Sequence, residues 1–107
     1  MTRTTTSERS RQDPISRGVT LAADRLERHG LPPAESALGQ AEQTVRTFIL
    51  TQGVEGPPRA IELLAEQTTI AILMRDHYDE PELTIEDFQS FEISCRDFLN
   101  SFWHDDV

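Results

Sequence analysis

The sequence predicts an all-α fold: a small four-helix bundle with a flexible N-terminal arm and an aromatic C-terminal segment. Apolar residues recur at steps of three and four through successive stretches, which is the spacing of one helix face. Pro or Gly stands between these stretches, where helices commonly begin and end. The 107 residues suffice for one modest core and are too few for two. We therefore expect residues 1–12 to form the arm and residues 13–107 a single helical domain.

The first two helices have clear start and stop signals. Asp13-Pro14 is a typical helix start, because Asp caps the first turn and Pro has a helical φ. The first helix should run to about His29, since Gly30 follows it as a C-terminal stop. The turn at Pro32-Pro33 then leads into a second helix, which should end near Gly53.

The third and fourth helices are separated by a proline. The third is expected to start at Pro57-Pro58 and to end between Tyr78 and Glu80, because Pro81 prevents continuation. Thr84 and Asp87 have the spacing of a capping box, which predicts the start of the fourth helix. A competing interpretation makes residues 90–94 a short strand, since apolar and polar residues alternate there. The longer helical period favours the helix.

The apolar stripes predict the core of the monomer. Its expected members are Leu38, Val45, Phe48, Leu64, Thr68, Ala71 and Phe88. The third helix carries more apolar surface than one stripe, and an amphipathic helix normally buries only one. We interpret the surplus as a subunit interface that becomes buried only on assembly, formed by Ile70, Leu73, Met74 and Tyr78.

The charges are unevenly distributed. The chain has ten Arg, no Lys and nineteen acids, a net charge of −9 that argues against nucleic-acid binding. This composition suggests a GC-rich or salt-loving source, although chance in a short chain remains an alternative. The arm is basic, and we expect Arg3, Arg9 and Arg11 to contact the acidic surface of a neighbouring subunit. The alternative is a solvated tail.

No pattern in the sequence predicts catalysis, a metal site or a cofactor. His77 and His104 match no metal-ligand spacing, and Cys95 lies in an apolar stripe as a buried residue would. All five glycines are interpreted as helix ends or turns, so no phosphate-binding loop is expected. The single cysteine, the polar N-terminus and the lack of a long apolar run predict a protein assembled in the cytosol, without a membrane span.

Most of the aromatic residues lie in the last twenty positions. Phe98, Phe102 and Trp103 stand at a terminus that would otherwise fray, so we expect them to anchor the segment. The anchor is either this domain or the pocket of a partner protein. The two alternatives remain open.

The order of these elements resembles the head–tail connector (adaptor) proteins of tailed phages and tailed archaeal viruses. An Ala-rich second helix ends in an aromatic residue over Ala41–Ile49, and a Pro-led third helix starts at Pro57 and runs to Tyr78. The segment 85–94 is similar to the short extended stretch of that family. The polar arm and the aromatic C-terminus depart from it.

The resemblance implies a structural virion protein that forms a ring of identical subunits between the portal and the tail. Its partners would then be itself, the portal protein and tail-side connector proteins, at the head–tail junction of the virion. The alternative is a cellular helical interaction module, such as a dimeric regulator or an accessory subunit. A ring needs two different complementary surfaces, whereas a two-fold dimer uses one self-complementary patch.

Overall fold

A computed structural model describes the backbone of residues 13–105 and the side chains of residues 13–97. It contains four helices: α1 (Pro14–Arg28), α2 (Glu35–Gln52), α3 (Pro58–His77) and α4 (Ile85–Asp105). No strand occurs in the described part of the chain, and α4 continues through residues 90–94, so the strand alternative is wrong. The all-helical fold class and the number of helices are confirmed. Residues 1–12, expected to form the arm, lie outside the described residues.

Local signals define the ends of the first two helices, as predicted. The Asp13 carboxylate accepts a hydrogen bond from the backbone N–H of Ile15 at 3.2 Å, which caps α1. After α1 the chain turns at Gly30, and after α2 at Gly53, with φ of +81° and +62°. Glycine adopts this left-handed conformation without a steric penalty, which explains why both helices stop there.

The capping box at the start of α4 is also confirmed. The Asp87 backbone N–H donates to the Thr84 hydroxyl at 3.1 Å, and the Thr84 N–H donates to the Asp87 carboxylate at 3.1 Å. These hydrogen bonds to the backbone and hydroxyl of Thr84 lower the pKa of Asp87. The helix start is therefore stabilised by the ionised carboxylate.

Helix α3 lies at the centre of the fold and contacts each of the other three helices. The core around it contains two clusters. The larger is formed by Ile15, Val19, Val45, Ile49, Leu64, Ala65, Phe88 and Cys95, and the smaller by Leu26, Ala41 and Leu73.

The predicted core is only partly correct. Val45, Leu64, Thr68 and Phe88 are fully buried, as expected. Leu38, Phe48 and Ala71 are half-buried instead. Phe48 stacks on Phe88 with ring centroids 5.1 Å apart, but it also borders a hollow open to the surface. These three positions lie at the edges of their stripes, which spacing alone does not separate from the centre.

The contact between α1 and α3 depends on a glycine that was expected to mark a helix end. Gly18 lies inside α1, and a Cβ atom there would come within 2.5 Å of the Glu62 carbonyl oxygen and 2.6 Å of the Ala65 Cβ. Ala22 and Ala65 are completely buried. Small side chains therefore let the two helix backbones approach each other closely. The interpretation of every glycine as a turn or helix end is wrong, since Gly39 also lies within a helix.

Candidate functional site

The predicted interface residues of α3 do not share one exposed surface. Tyr78 is 58% exposed, whereas Ile70 and Met74 are half-buried. Leu73 is buried within the monomer at 7% exposure and packs with Leu26 and Ala41. The expectation that all four residues become buried only in an oligomer is therefore wrong for Leu73. The reason is helical register, because Leu73 is one turn beyond Thr69 on the stripe of α3 that faces α1.

A groove with acidic edges lies at the C-terminal end of α3. Its apolar lining is formed by Ala37, Ala41, Ile72, Leu73 and Leu83, and its charged lining by three acids, Asp76, Glu80 and Glu82, and one base, Arg75. We call this surface the acidic groove. Its volume is about 240 Å³, and a second hollow that contains Met74 and His77 adjoins it through Ala37 and Leu73. The groove offers apolar contact area bordered by negative charge.

The rim carboxylates of the acidic groove outnumber the basic residues beside them. Among the described residues, none of Asp76, Glu80 and Glu82 takes part in an ion pair. Arg75 also lines the groove, but its guanidinium lies 3.7 Å from Asp87 and donates to the Pro81 carbonyl at 3.3 Å. The groove therefore has a negative potential that a basic ligand would complement.

A second groove lies at the other end of α3, between the loop that precedes it and α4. Val54, Pro57, Ala60, Ile61, Leu64 and Cys95 form most of its lining, with Glu92 and Arg96 at the side of α4. We call this surface the apolar groove; its volume is about 220 Å³. Ile93, next to it on α4, is 54% exposed, and Leu50 near the end of α2 is 78% exposed. Large apolar side chains are thus exposed at this end of the domain as well.

The cysteine in the apolar groove is not an activated nucleophile. Cys95 is buried, and burial raises the pKa of its thiol, with Glu66 and Glu92 adding to the shift. A raised pKa keeps the thiol protonated and unreactive at neutral pH.

His77 contacts Tyr78 edge-on, with ring centroids 4.7 Å apart.

The described part of the chain contains no group of three or more His, Cys, Asp and Glu residues that could hold a metal ion. No helix within residues 13–105 is long and apolar enough to cross a membrane. Neither groove brings together an acid, a base and a nucleophile in an arrangement that would support catalysis.

A polar cluster between α1 and α2 was not predicted. Arg46 donates to Ser16 at 2.9 Å and to Glu42 at 2.9 Å, and it pairs with Asp13. Burial opposes the charge of Arg46, but hydrogen bonds to Asp13 and Glu42 outweigh it and raise the pKa of the guanidinium. The capping residue of α1 is thereby tied to the middle of α2, so we assign this cluster a structural role. The i, i+4 spacing of Glu42 and Arg46 was the only sequence signal.

The remaining site predictions fall on residues whose side chains are not described. Phe98, Phe102 and Trp103, the expected partner-binding residues, lie in the helical backbone of α4 beyond the described side chains. Arg3, Arg9 and Arg11, the expected arm contacts, lie outside the described residues altogether. Both expectations stay predictions.

Comparison with known proteins adds no identification. No protein-family model, curated protein or solved structure shows significant similarity to the chain.

Proposed function

We propose that this chain is a structural, non-catalytic protein whose copies associate head to tail into a ring, as in a head–tail adaptor between the portal and the tail of a virion. The observation that carries the proposal is the pair of grooves at opposite ends of α3. Ile61 in one groove and Met74 beside the other are thirteen residues apart, which is about 20 Å along a helix.

The difference between the two grooves favours a head-to-tail contact over a two-fold dimer. The acidic groove has carboxylates without a salt bridge, whereas the apolar groove lies at the end of the domain where Leu50 and Ile93 are exposed. A two-fold interface uses the same patch on both subunits, while a ring needs two different patches that complement each other. Two separate and chemically distinct surfaces are compatible with the second arrangement, in which a surface need not contact its own copy.

The end of α4 is the proposed contact with the portal or with a tail-side connector protein. Asp87 lies near Arg75, and Arg96 lies opposite Pro57, so α4 runs antiparallel to α3. The backbone of α4 continues from Arg96 to Asp105, past the first residue of α3. The aromatic residues Phe98, Phe102 and Trp103 belong to this last part of the helix. Clustered aromatic residues are typical anchors in protein interfaces.

Two surface variants test the head-to-tail contact. Tyr78→Asp places a charge beside the acidic groove, and Ile93→Asp places one beside the apolar groove; both side chains are more than half exposed in the monomer. If the wild-type chain forms a ring, each variant alone should be monomeric in size-exclusion chromatography with light scattering. An equimolar mixture should give a heterodimer and nothing larger, because only one intact pair of surfaces remains.

The matched control is Leu21→Asp, which changes a 38% exposed apolar residue of α1 outside both grooves and should assemble normally. If one of the two variants assembles like the wild type, the proposed pair of surfaces is wrong; a dimer that only the other variant abolishes indicates a two-fold interface and favours the cellular interaction module. A wild-type chain that stays monomeric at high concentration contradicts the proposal. An adaptor gene should also lie among portal, capsid and tail genes, which inspection of the genome neighbourhood can check.

A further inference from the structure

The acidic groove combines two features that select the chemistry of a ligand. Much of its lining is apolar, and its three rim carboxylates form no salt bridge among the described residues, because Arg75, the one base in the lining, pairs with Asp87. An arginine side chain fits both features, because its aliphatic stem packs on apolar surface while its guanidinium binds carboxylates through paired hydrogen bonds. A segment with several arginines and no bulky groups would therefore complement this groove.

The chain itself contains such a segment outside the described residues. Residues 1–12 include Arg3, Arg9 and Arg11 against one acid, Glu8, whereas the chain from His29 onward carries fifteen acids and four Arg. The rest of the segment is mostly Thr, Ser and Gln, whose small or narrow side chains do not obstruct close contact. The segment thus has one arginine for each of the three carboxylates, Asp76, Glu80 and Glu82.

The position of Asp13 decides which copy of the groove these arginines can reach. Asp13 pairs with Arg46 of α2, while Gln40 and Thr44 of α2 line the acidic groove. Residues two positions apart on a helix are about 200° apart around its axis. Asp13 therefore lies on the side of α2 that faces away from the groove.

The length of α1 adds a second obstacle within one copy. Leu26, which packs against Leu73 under the groove, is thirteen residues from Asp13, or about 20 Å along α1. Arg11 is two residues from Asp13 and has about 7 Å of backbone to extend. Arg11 cannot reach its own groove even with an extended side chain, so the three arginines cannot all bind there within one copy. The groove of a neighbouring copy is not subject to this limit on distance.

We propose that the acidic groove of one copy binds the arginine-bearing residues 1–12 of a neighbouring copy. The aliphatic parts of Arg3, Arg9 and Arg11 lie on the apolar lining, and their guanidinium groups bind Asp76, Glu80 and Glu82. This inference rests on the self-association proposed above and names one contact within it. Because exposed charge pairs are weak and screened by salt, the contact orients subunits and weakens as ionic strength rises.

The acidic groove and residues 1–12 can be tested as separate molecules. The acceptor is the full chain with Arg3, Arg9 and Arg11 each changed to Glu, so that its own segment does not compete. The probe is a synthetic peptide of residues 1–12, titrated at low salt and followed through the backbone amide resonances of the acceptor. We expect saturable shifts at Ala37, Ala41 and Leu83, and at least a tenfold weaker affinity when Glu80→Lys and Glu82→Lys are added to the acceptor.

A matched acceptor has Asp24→Lys and Glu27→Lys instead, two exposed acids of α1 outside the groove, and should bind the peptide as before. Equal loss in both acceptors means unspecific charge attraction and overturns the inference, as do shifts confined to another surface. It is also overturned if the wild-type chain, diluted to a monomer, already shows its groove resonances at the bound positions, because the segment then occupies its own groove.

Light scattering on the wild-type chain is measured separately. Self-association without peptide binding removes this inference and leaves the proposed ring standing. Peptide binding without self-association contradicts the ring, although the groove would still recognise the segment.

Discussion

Helix α3 packs against α1 and against α4 in different ways. On the side of α1, the small residues Gly18, Ala22 and Ala65 bring the two backbones together without intervening space. On the side of α4, the large side chain of Phe88 bridges the helices, and the apolar groove remains open beside Cys95. Burial and close packing are therefore separate properties: both sides contain fully buried residues, but a Cβ added at Gly18 would overlap α3, whereas a hollow remains beside α4.

The two contacts of α3 also differ in their ion pairs. Ion pairs link Arg17 to Glu62 at 3.1 Å and Arg25 to Glu66 at 2.8 Å across the contact between α1 and α3. Between α4 and α3, the one ion pair among the described residues joins Asp87 to Arg75 at 3.7 Å. Because fewer interactions hold it, we expect α4 to separate from α3 at a lower free energy than α1 does.

The largest expected effect is that of Phe88→Ala. Phe88 is completely buried and stacks on Phe48, so the change should lower the free energy of unfolding by about 3–5 kcal/mol. Urea denaturation measures the loss, and hydrogen exchange should show that α4 loses amide protection before α1 and α3. Phe48→Ala should cost less, because Phe48 is only half-buried. Equal losses of protection in all helices would contradict the independent opening of α4.

Gly18→Ala tests the close packing between α1 and α3. Alanine favours helix by about 1 kcal/mol over glycine, but the new Cβ would overlap the Glu62 carbonyl. We expect a net loss of about 2–3 kcal/mol, as in other overpacked cores. Gly39→Ala is the control, because nothing lies within 4 Å of its added Cβ and the change should stabilise the protein. If both substitutions stabilise, the helices are less closely packed than described.

Arg25→Ala tests the ion pair on the same side. The Glu66 side chain is 7% exposed, so removal of Arg25 leaves a buried carboxylate without its partner. We expect a loss of about 1–2 kcal/mol in thermal or urea unfolding. The double change of Arg25 and Glu66 to Met should recover most of that loss, since an apolar pair needs no counter-charge. A double variant as unstable as the single one would show that the loss comes from packing.

Thr69→Val should have a smaller effect of opposite sign. The Thr69 hydroxyl is buried and has no hydrogen-bond partner among the described residues, and neither has that of Thr68. Valine has nearly the same shape and no polar group to desolvate. Thr69→Val and Thr68→Val should therefore each stabilise the fold by about 1 kcal/mol. Thermal unfolding of the two single variants would measure this, and a destabilised Thr69→Val would mean that its hydroxyl is satisfied by bound water.

The smallest expected effect concerns pH and the start of α4. The lowered pKa of Asp87 means that its ionised form stabilises the folded state, so the contribution is present above the ordinary carboxyl pKa of about 3.9. It is lost as the pH falls through the lower pKa of the folded state. Asp87→Asn should therefore reduce the unfolding temperature at pH 7 and have little effect once the pH lies below the folded-state pKa. A difference that persists in acid would show that the carboxylate charge is not the cause.

The sequence predicted the helix ends more reliably than the helix surfaces. Asp13, Gly30, Gly53 and Thr84 act through contacts a few residues away, so their effects can be read from local spacing. The burial of Leu73 depends on which stripe of α3 meets α1, and that is decided by the other helices. Gly18 did carry a signal, since an isolated glycine within an apolar helical stripe indicates close approach of another backbone.

The candidate site was predicted only in part. Tyr78 is exposed as an interface residue should be, but the acidic groove depends on the path of residues 80–83, which no periodic pattern fixes. The apolar groove depends on the space left between two helices and a loop. Such hollows arise from tertiary packing and have no counterpart in the spacing of apolar residues.

The rate at which the buried thiol of Cys95 is alkylated can report movements of the fold. It is the chain's single cysteine, so an alkylating reagent has one target in the molecule. In the folded state the thiol is only 7% exposed where it lines the apolar groove, and burial raises its pKa. Reaction with iodoacetamide should therefore be slow in the closed fold and faster when α4 moves away from α3, so its rate reports that movement without any engineered label. Assembly through the apolar groove should slow the same reaction. The alkylation rate of Cys95 would then report both the movement of α4 and the assembly of subunits.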